Sequence, residues 1–174
     1  MANTFLHAQG YEIGKSIEEA DFLQSCKEII ENAKKCGTQI ILPEFVITSK
    51  EFKEHTNIQV KHIKSIDKND IIVDVCLNEE VERCVKLVDF CVWNGPLGAF
   101  EMQPFKCGTE SVARIIAKHT QLCNVKSIIG GGDVVSAISS SGLKDCMTYI
   151  STGGGAFLEW LEGKILPGID VCKE

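Results

Sequence analysis

An α/β fold of three layers, with helices on both faces of a mostly parallel sheet, is predicted by three features of this sequence. From Ile71 onward, short apolar runs rich in β-branched residues alternate with stretches of helical apolar periodicity. Parallel neighbours need crossover connections, and the intervening helices fill that role. Two of the strand-to-helix junctions are glycine triplets, Gly130-Gly131-Gly132 and Gly153-Gly154-Gly155. Neither a linker nor a low-complexity tract interrupts the 174 residues, so one domain is expected.

In chain order, residues 1–9 read as a helix closing at Gly10. Ser16 with Glu19 forms a capping-box signature, and Ala20, Leu23, Cys26, Ile29, Ile30 and Ala33 then share one helical face as far as Gly37. Residues 39–42 are a short apolar run stopped by Pro43. Residues 45–48 continue extended, and residues 58–63 alternate with period two, which predicts a hairpin between them. Then follow strand 71–75, a helix marked by Val81, Cys84, Val85 and Val88, and strand 90–93. Helix 108–122, strand 125–129, helix 133–141, strand 147–150 and helix 155–162 complete the alternation. The tail after Leu166-Pro167-Gly168 is too short for an element of its own.

Charge and composition exclude several classes. A formal net charge of -6 lacks the basic field of a nucleic-acid surface. No apolar run is long enough for a bilayer and no signal peptide is recognisable, so a cytoplasmic protein with neither nucleic-acid nor membrane partner is expected. The nine cysteines include no Cys-x-x-Cys pair and read as reduced, small core residues. None of the four histidines pairs with a cysteine at metal-like spacing.

Chemistry concentrates in three turns: residues 93–101 (Trp-Asn-Gly-Pro-Leu-Gly-Ala-Phe-Glu), 130–133 (Gly-Gly-Gly-Asp) and 151–155 (Ser-Thr-Gly-Gly-Gly). A strand running through bare backbone into a helix leaves amides unpaired at the positive end of a helix dipole, which suits a phosphate. If the strands are parallel, the turns share the carboxyl edge where open α/β sheets bind ligands. Each turn alone is also readable as a tight connection, with Asp133 a mere N-cap and Glu101 a solvated loop acid. Together they favour a ligand. Asp133 is the metal-side carboxylate for a nucleotide carrying Mg²⁺, which keeps one or two protein carboxylates plus waters, and Glu101 is placed to accept from a ribose diol. Trp93 and Trp160 fall on apolar patterns and read as core. The Walker and dinucleotide glycine spacings are absent, and no nucleophile stands out. Phosphoryl transfer needs none, because it works by positioning and charge neutralisation.

These residues, with Gly108-Thr109, Gly163-Lys164 and Leu166-Pro167-Gly168, resemble the C-terminal, nucleotide-binding part of phosphoglycerate kinase, and Gly14-Lys15-Ser16 and the opening Met1-Ala2-Asn3-Thr4-Phe5-Leu6 resemble the same family. The resemblance implies a Rossmann-like C-terminal domain over residues 1–174. It also implies glycolytic transfer of the acyl phosphate of 1,3-bisphosphoglycerate to Mg·ADP, giving ATP and 3-phosphoglycerate. By position, Glu101 would hold the ribose hydroxyls. Gly131, Gly132, Asp133 and the Val134 amide would bind phosphates and metal, and Asn94 and Pro96 would line the nucleotide cleft. Thr152, Gly153 and Gly154 would present amides to the migrating phosphoryl, and residues 71–73 would form part of an adenine wall.

Three places in the sequence depart from the family pattern. Val134 replaces a Thr or Ser, leaving only its backbone N–H for a phosphate; residues 74–77 (Asp-Val-Cys-Leu) replace Asp-Ile-Gly-Pro; and Glu44-Phe45 replaces an apolar residue followed by Asp. The resemblance implies that the chain lacks the family's N-terminal phosphoglycerate-binding domain and the earliest strands of its nucleotide domain. It is therefore expected to bind nucleotide, to bind phosphoglycerate only together with that domain, and not to turn over alone. A non-catalytic nucleotide-binding or interaction module of the same fold is the alternative.

Overall fold

Two three-stranded sheets organise the chain in the computed structural model, which describes residues 1–151 and 153–172. The chain divides into two compact units: residues 1–83 with 97–111, and residues 84–96 with the remainder from 112.

In the first unit, β1 (Phe45–Ser49) lies between β2 (Ile58–His62) and β3 (Ile71–Cys76), antiparallel to both. The β1–β2 hairpin is the one predicted. Strand β3 is expected in the parallel sheet and instead pairs antiparallel with β1, because apolar patterning identifies a strand without naming its neighbour. Alternation along β1 sends Val46 into a core with Leu6, Ile13, Ile63, Ile66 and Val75, and Ile47 into a second with Val73 and Phe105. Residues 39–42 form no strand, and Leu42 packs against the first of these cores.

Helix α1 (Ala2–Ala8) contributes Leu6. Helix α2 (Leu23–Cys36) ends as predicted at Gly37, but it begins well after Ser16, behind a 3₁₀ turn at Ala20–Phe22. Ser16 is no cap: its hydroxyl donates to the Ile13 carbonyl and accepts from the Ile72 amide at 2.8 Å, tying the Ile13 segment to β3. Local spacing proposes a capping box, and the more distant strand amide takes the hydroxyl.

One ionic cluster sets the acid response of this unit. Asp70 is buried, with Lys50 and Lys61 each 2.7 Å from its carboxylate and the Asp67 amide donating at 2.8 Å. Burial alone would raise its carboxyl, but these hydrogen bonds outweigh it and hold the group at about 2, against an ordinary 3.8. A depressed folded-state carboxyl contributes stability in full above the unfolded value and loses it as pH falls from about 4 towards 2. Because Lys50 is largely exposed, the contribution is roughly 1–2 kcal/mol. Asp70→Asn is therefore expected to lower the urea midpoint at pH 7 and to flatten its decline between pH 5 and 2. An unchanged acid limb would overturn this assignment.

The second unit is built on β4 (Phe90–Asn94), β5 (Lys126–Gly130) and β6 (Tyr149–Ile150), all parallel and adjacent in that order. Helix α3 (Glu79–Leu87) precedes β4. Helix α4 (Cys107–Leu122) leads into β5, burying Val112, Ala113, Ile116 and Ala117, and α5 (Gly132–Ser140) buries Val134 and Ile138. Trp93 and Ile129, paired in register, point to the covered face of the sheet. On its other face Phe90 is 67% and Tyr149 60% exposed.

Helix α6 (Gly154–Leu161) departs from expectation at Trp160, which is 58% exposed rather than core. Phe157 lies against Gly130, while Leu158 and Leu161 stay open with Trp160. The tail forms a short turn of helix, α7 (Pro167–Asp170), because Pro167 is preset for a first helical position. None of the nine cysteines forms a disulfide, and Cys36, Cys107, Cys123 and Cys172 are exposed where the sequence reads them as core. Burial pushes the thiols of Cys76 and Cys91 up, which keeps both protonated and inert.

Candidate functional site

Parallel pairing decides where the glycine turns lie. Asn94 pairs with Gly130, Ile129 with Ile150, and the Ser151 amide donates to the Ile129 carbonyl at 2.7 Å, so all three strands of the second unit end on the same edge. From this edge β5 runs into α5 and β6 into α6.

At the first junction Gly131 is the N-cap, with φ +90 and no side-chain cap. Only glycine adopts this backbone without strain, and a Cβ there would sit 2.6 Å from Asn94 Oδ1. The amides of Gly132, Asp133 and Val134 are the first in the helix and lack intrahelical acceptors. Open space surrounds Gly132, and Asp133 is exposed beside it in the first turn. The Val134 side chain is fully buried in the core of the unit, so only its backbone faces the edge. Asn94 is exposed at the tip of β4 and Pro96 half-buried behind it, while the Trp93 indole donates to the Gly95 carbonyl at 2.8 Å and holds the turn.

The second junction repeats the arrangement with one modification. Gly153 is the N-cap of α6, again without a side-chain cap, but its amide donates to Ser151 Oγ at 3.3 Å. That bond fastens the turn and leaves the Gly154 and Gly155 amides as the first open ones, with nothing near either residue. Thr152 lies outside the described residues. Ser151 is a contributor that sequence reading passes over, since a serine beside a glycine run looks like spacer.

Glu101 belongs to the first unit. It is exposed in the turn after Ala99, just before a 3₁₀ turn at Gln103–Phe105. Of residues 71–73, Val73 is buried in the core with Ile47 and Phe105, and Ile71 and Ile72 pack half-buried against the cores of that unit.

The donor set of the second unit fits a metal carried by a polyphosphate. Among the described residues no three His, Cys, Asp or Glu side chains gather as a metal cage. An ion at Asp133 would complete its shell with phosphate oxygens and water, the coordination habit of Mg²⁺. Two helix N-termini with amides open towards one sheet edge supply the complementary positive ends for those phosphates. No described helix is long and apolar enough to cross a membrane.

Comparison with known proteins agrees with this geometry. The family model described as phosphoglycerate kinase matches residues 1–164. The chain is 43% identical to the phosphoglycerate kinase of Rhizobium meliloti, over 100% of this chain and 44% of the relative. To that of Methylorubrum extorquens it is 41% identical, over 99% of this chain and 44% of the relative. Among solved structures, phosphoglycerate kinase from Coxiella burnetii superposes with a TM-score of 0.91 at 42% identity, covering 98% of this chain and 44% of that one. The enzyme from Pyrococcus horikoshii gives 0.81 at 27% identity, covering 97% and 42%. The chain thus spans under half the length of the relatives it matches, and it belongs to the phosphoglycerate kinase family.

Proposed function

We propose that this chain is the nucleotide-binding domain of a phosphoglycerate kinase, supplying the Mg·ADP site for reversible phosphoryl transfer between 1,3-bisphosphoglycerate and ADP, with ATP and 3-phosphoglycerate as products. The observation that carries the reading is the pair of uncapped helix N-termini, α5 and α6, opening on one edge of the parallel sheet with bare backbone at Gly132, Gly154 and Gly155.

Each residue has a defined task. The amides of Gly132, Asp133 and Val134 bind phosphate oxygens, Gly131 lets the ligand approach the turn, and Asn94 and Pro96 line the cleft. Asp133 orients the Mg²⁺ of the nucleotide, an ion that neutralises phosphate charge during transfer. Thr152, Gly153 and Gly154 mark the turn that receives the migrating phosphoryl, with the backbone of Gly154 its open end. Glu101 accepts hydrogen bonds from the ribose diol. The chain spans 44% of its relatives, and phosphoryl transfer needs both reactants aligned and shielded from water, so nucleotide binding without turnover is the expected behaviour of this chain by itself.

Calorimetric titration tests this. Mg·ADP should bind Asp133→Ala about 10–100-fold more weakly than the unaltered chain, the range for losing a charge-assisted contact. With the metal chelated the difference should vanish or reverse, because the Asp133 carboxylate then repels the phosphates. Equal heats for both proteins with Mg·ADP would instead favour a non-catalytic scaffold.

A further inference from the structure

Asp74 breaks the β-branched run of β3 with a carboxylate that is 1% exposed. The groups that meet it are backbone amides: Val75 donates to Oδ1 and Gly108 to Oδ2, each at 2.8 Å. Gly108 stands in the first turn of α4, so the carboxylate lies at the positive end of that helix. Burial pushes the Asp74 carboxyl above its usual range, against the downward pull of the Gly108, Val75 and Cys107 amides. An apolar residue would suit a strand interior better, so the group calls for another role.

Its surroundings supply one. Gly98 and Gly108 press bare backbone onto the carboxylate, and a Cβ on either would overlap it. The Ala99 amide donates to the Val73 carbonyl at 3.1 Å, and Leu97 and Gly98 donate to the buried Thr109 hydroxyl at 3.1 and 3.5 Å. The backbone just ahead of Glu101 is therefore fastened residue by residue to β3 and to α4, and Phe105, fully buried, fastens the turn behind it. Between these anchors Glu101 stands exposed.

We propose that Asp74 is a positioning residue for ribose recognition: by accepting from the first turn of α4 and packing against the Gly98 backbone, it holds the Glu101 carboxylate where the 2′ and 3′ hydroxyls of a nucleotide bind. The inference rests on the assignment of Glu101 to the ribose. Thr109 serves the same clasp through its hydroxyl. Asn at position 74 would turn an NH₂ towards one of the two amides that the carboxylate accepts, loosening the clasp with little change of shape.

The test compares Mg·ADP with its 2′,3′-dideoxy analogue by calorimetry on the full chain, with folding checked by circular dichroism. The unaltered chain should prefer the ribose form about tenfold or more, the range for hydrogen bonds to a charged acceptor. Glu101→Ala should abolish the preference. Asp74→Asn, and Thr109→Val should Asp74→Asn fail to fold, should reduce it to within about twofold, whereas Asp133→Ala should weaken both ligands and keep the ratio. Folded Asp74→Asn or Thr109→Val protein that retains the full preference, even if less stable, overturns the positioning role alone. No preference in the unaltered chain overturns the ribose assignment and this inference with it.

Discussion

Phe105→Ala is expected to lower the unfolding free energy by about 3–5 kcal/mol, the range for deleting a fully buried aromatic ring. Phe105 has no exposed surface, shares a core with Ile47 and Val73, and stacks on Phe52 at a ring-centroid distance of 5.8 Å. Sheet residues on one side and a ring on the other leave little freedom to collapse into the vacated space, so the cavity term adds to the lost transfer energy. Phe105 also closes the turn behind Glu101, its amide donating to the Met102 carbonyl at 2.9 Å. The substitution should therefore weaken ribose discrimination as well as stability. Urea denaturation followed by circular dichroism measures the first effect. A loss below about 1 kcal/mol would contradict the packing described, and Phe105→Leu should recover most of the stability.

Ile129→Ala should cost about 2–5 kcal/mol, felt in the second unit. Ile129 is fully buried at the centre of β5, in register with Trp93 on one side and Ile150 on the other. Its carbonyl receives the Ser151 amide that sets the end of β6. Removing the side chain strips the covered face of the sheet at the level where the glycine turns begin. Trp93 is buried beside it while Trp160 is exposed, so a red shift of tryptophan emission reports the opening of this unit. The shift should come at clearly lower urea in Ile129→Ala. An unchanged midpoint would mean that this strand is not the centre of the core.

Comparison of elements shows what sequence could carry. The alternation of β4, α4, β5, α5, β6 and α6 was legible because each strand is a short apolar run and each helix an apolar stripe, and both signals are local. The glycine triplets were legible for the same reason. Asp133 stood out as an acid next to a glycine triplet, and Glu101 as an acid following a glycine and proline turn. Ser16 misled because its capping signature is also local, while its actual acceptor role serves the amide of Ile72, far along the chain. Trp160 misled because an apolar stripe states a preference for cover without supplying it. Asp74 did carry a signal, a carboxylate in the middle of a β-branched run, but its meaning depends on Gly98 and Gly108 arriving from later in the chain.

What the sequence determined by itself was the inventory: which segments are helix or strand, where backbone is bare, and which acids stand beside it, since these follow from neighbours a few residues apart. Tertiary structure alone decided that β3 joins an antiparallel sheet, that two glycine turns share an edge, and that Gly98 and Gly108 lie against the Asp74 carboxylate. Strand partners and buried acceptors are chosen by packing between distant segments, and that competition leaves no periodic trace in the chain.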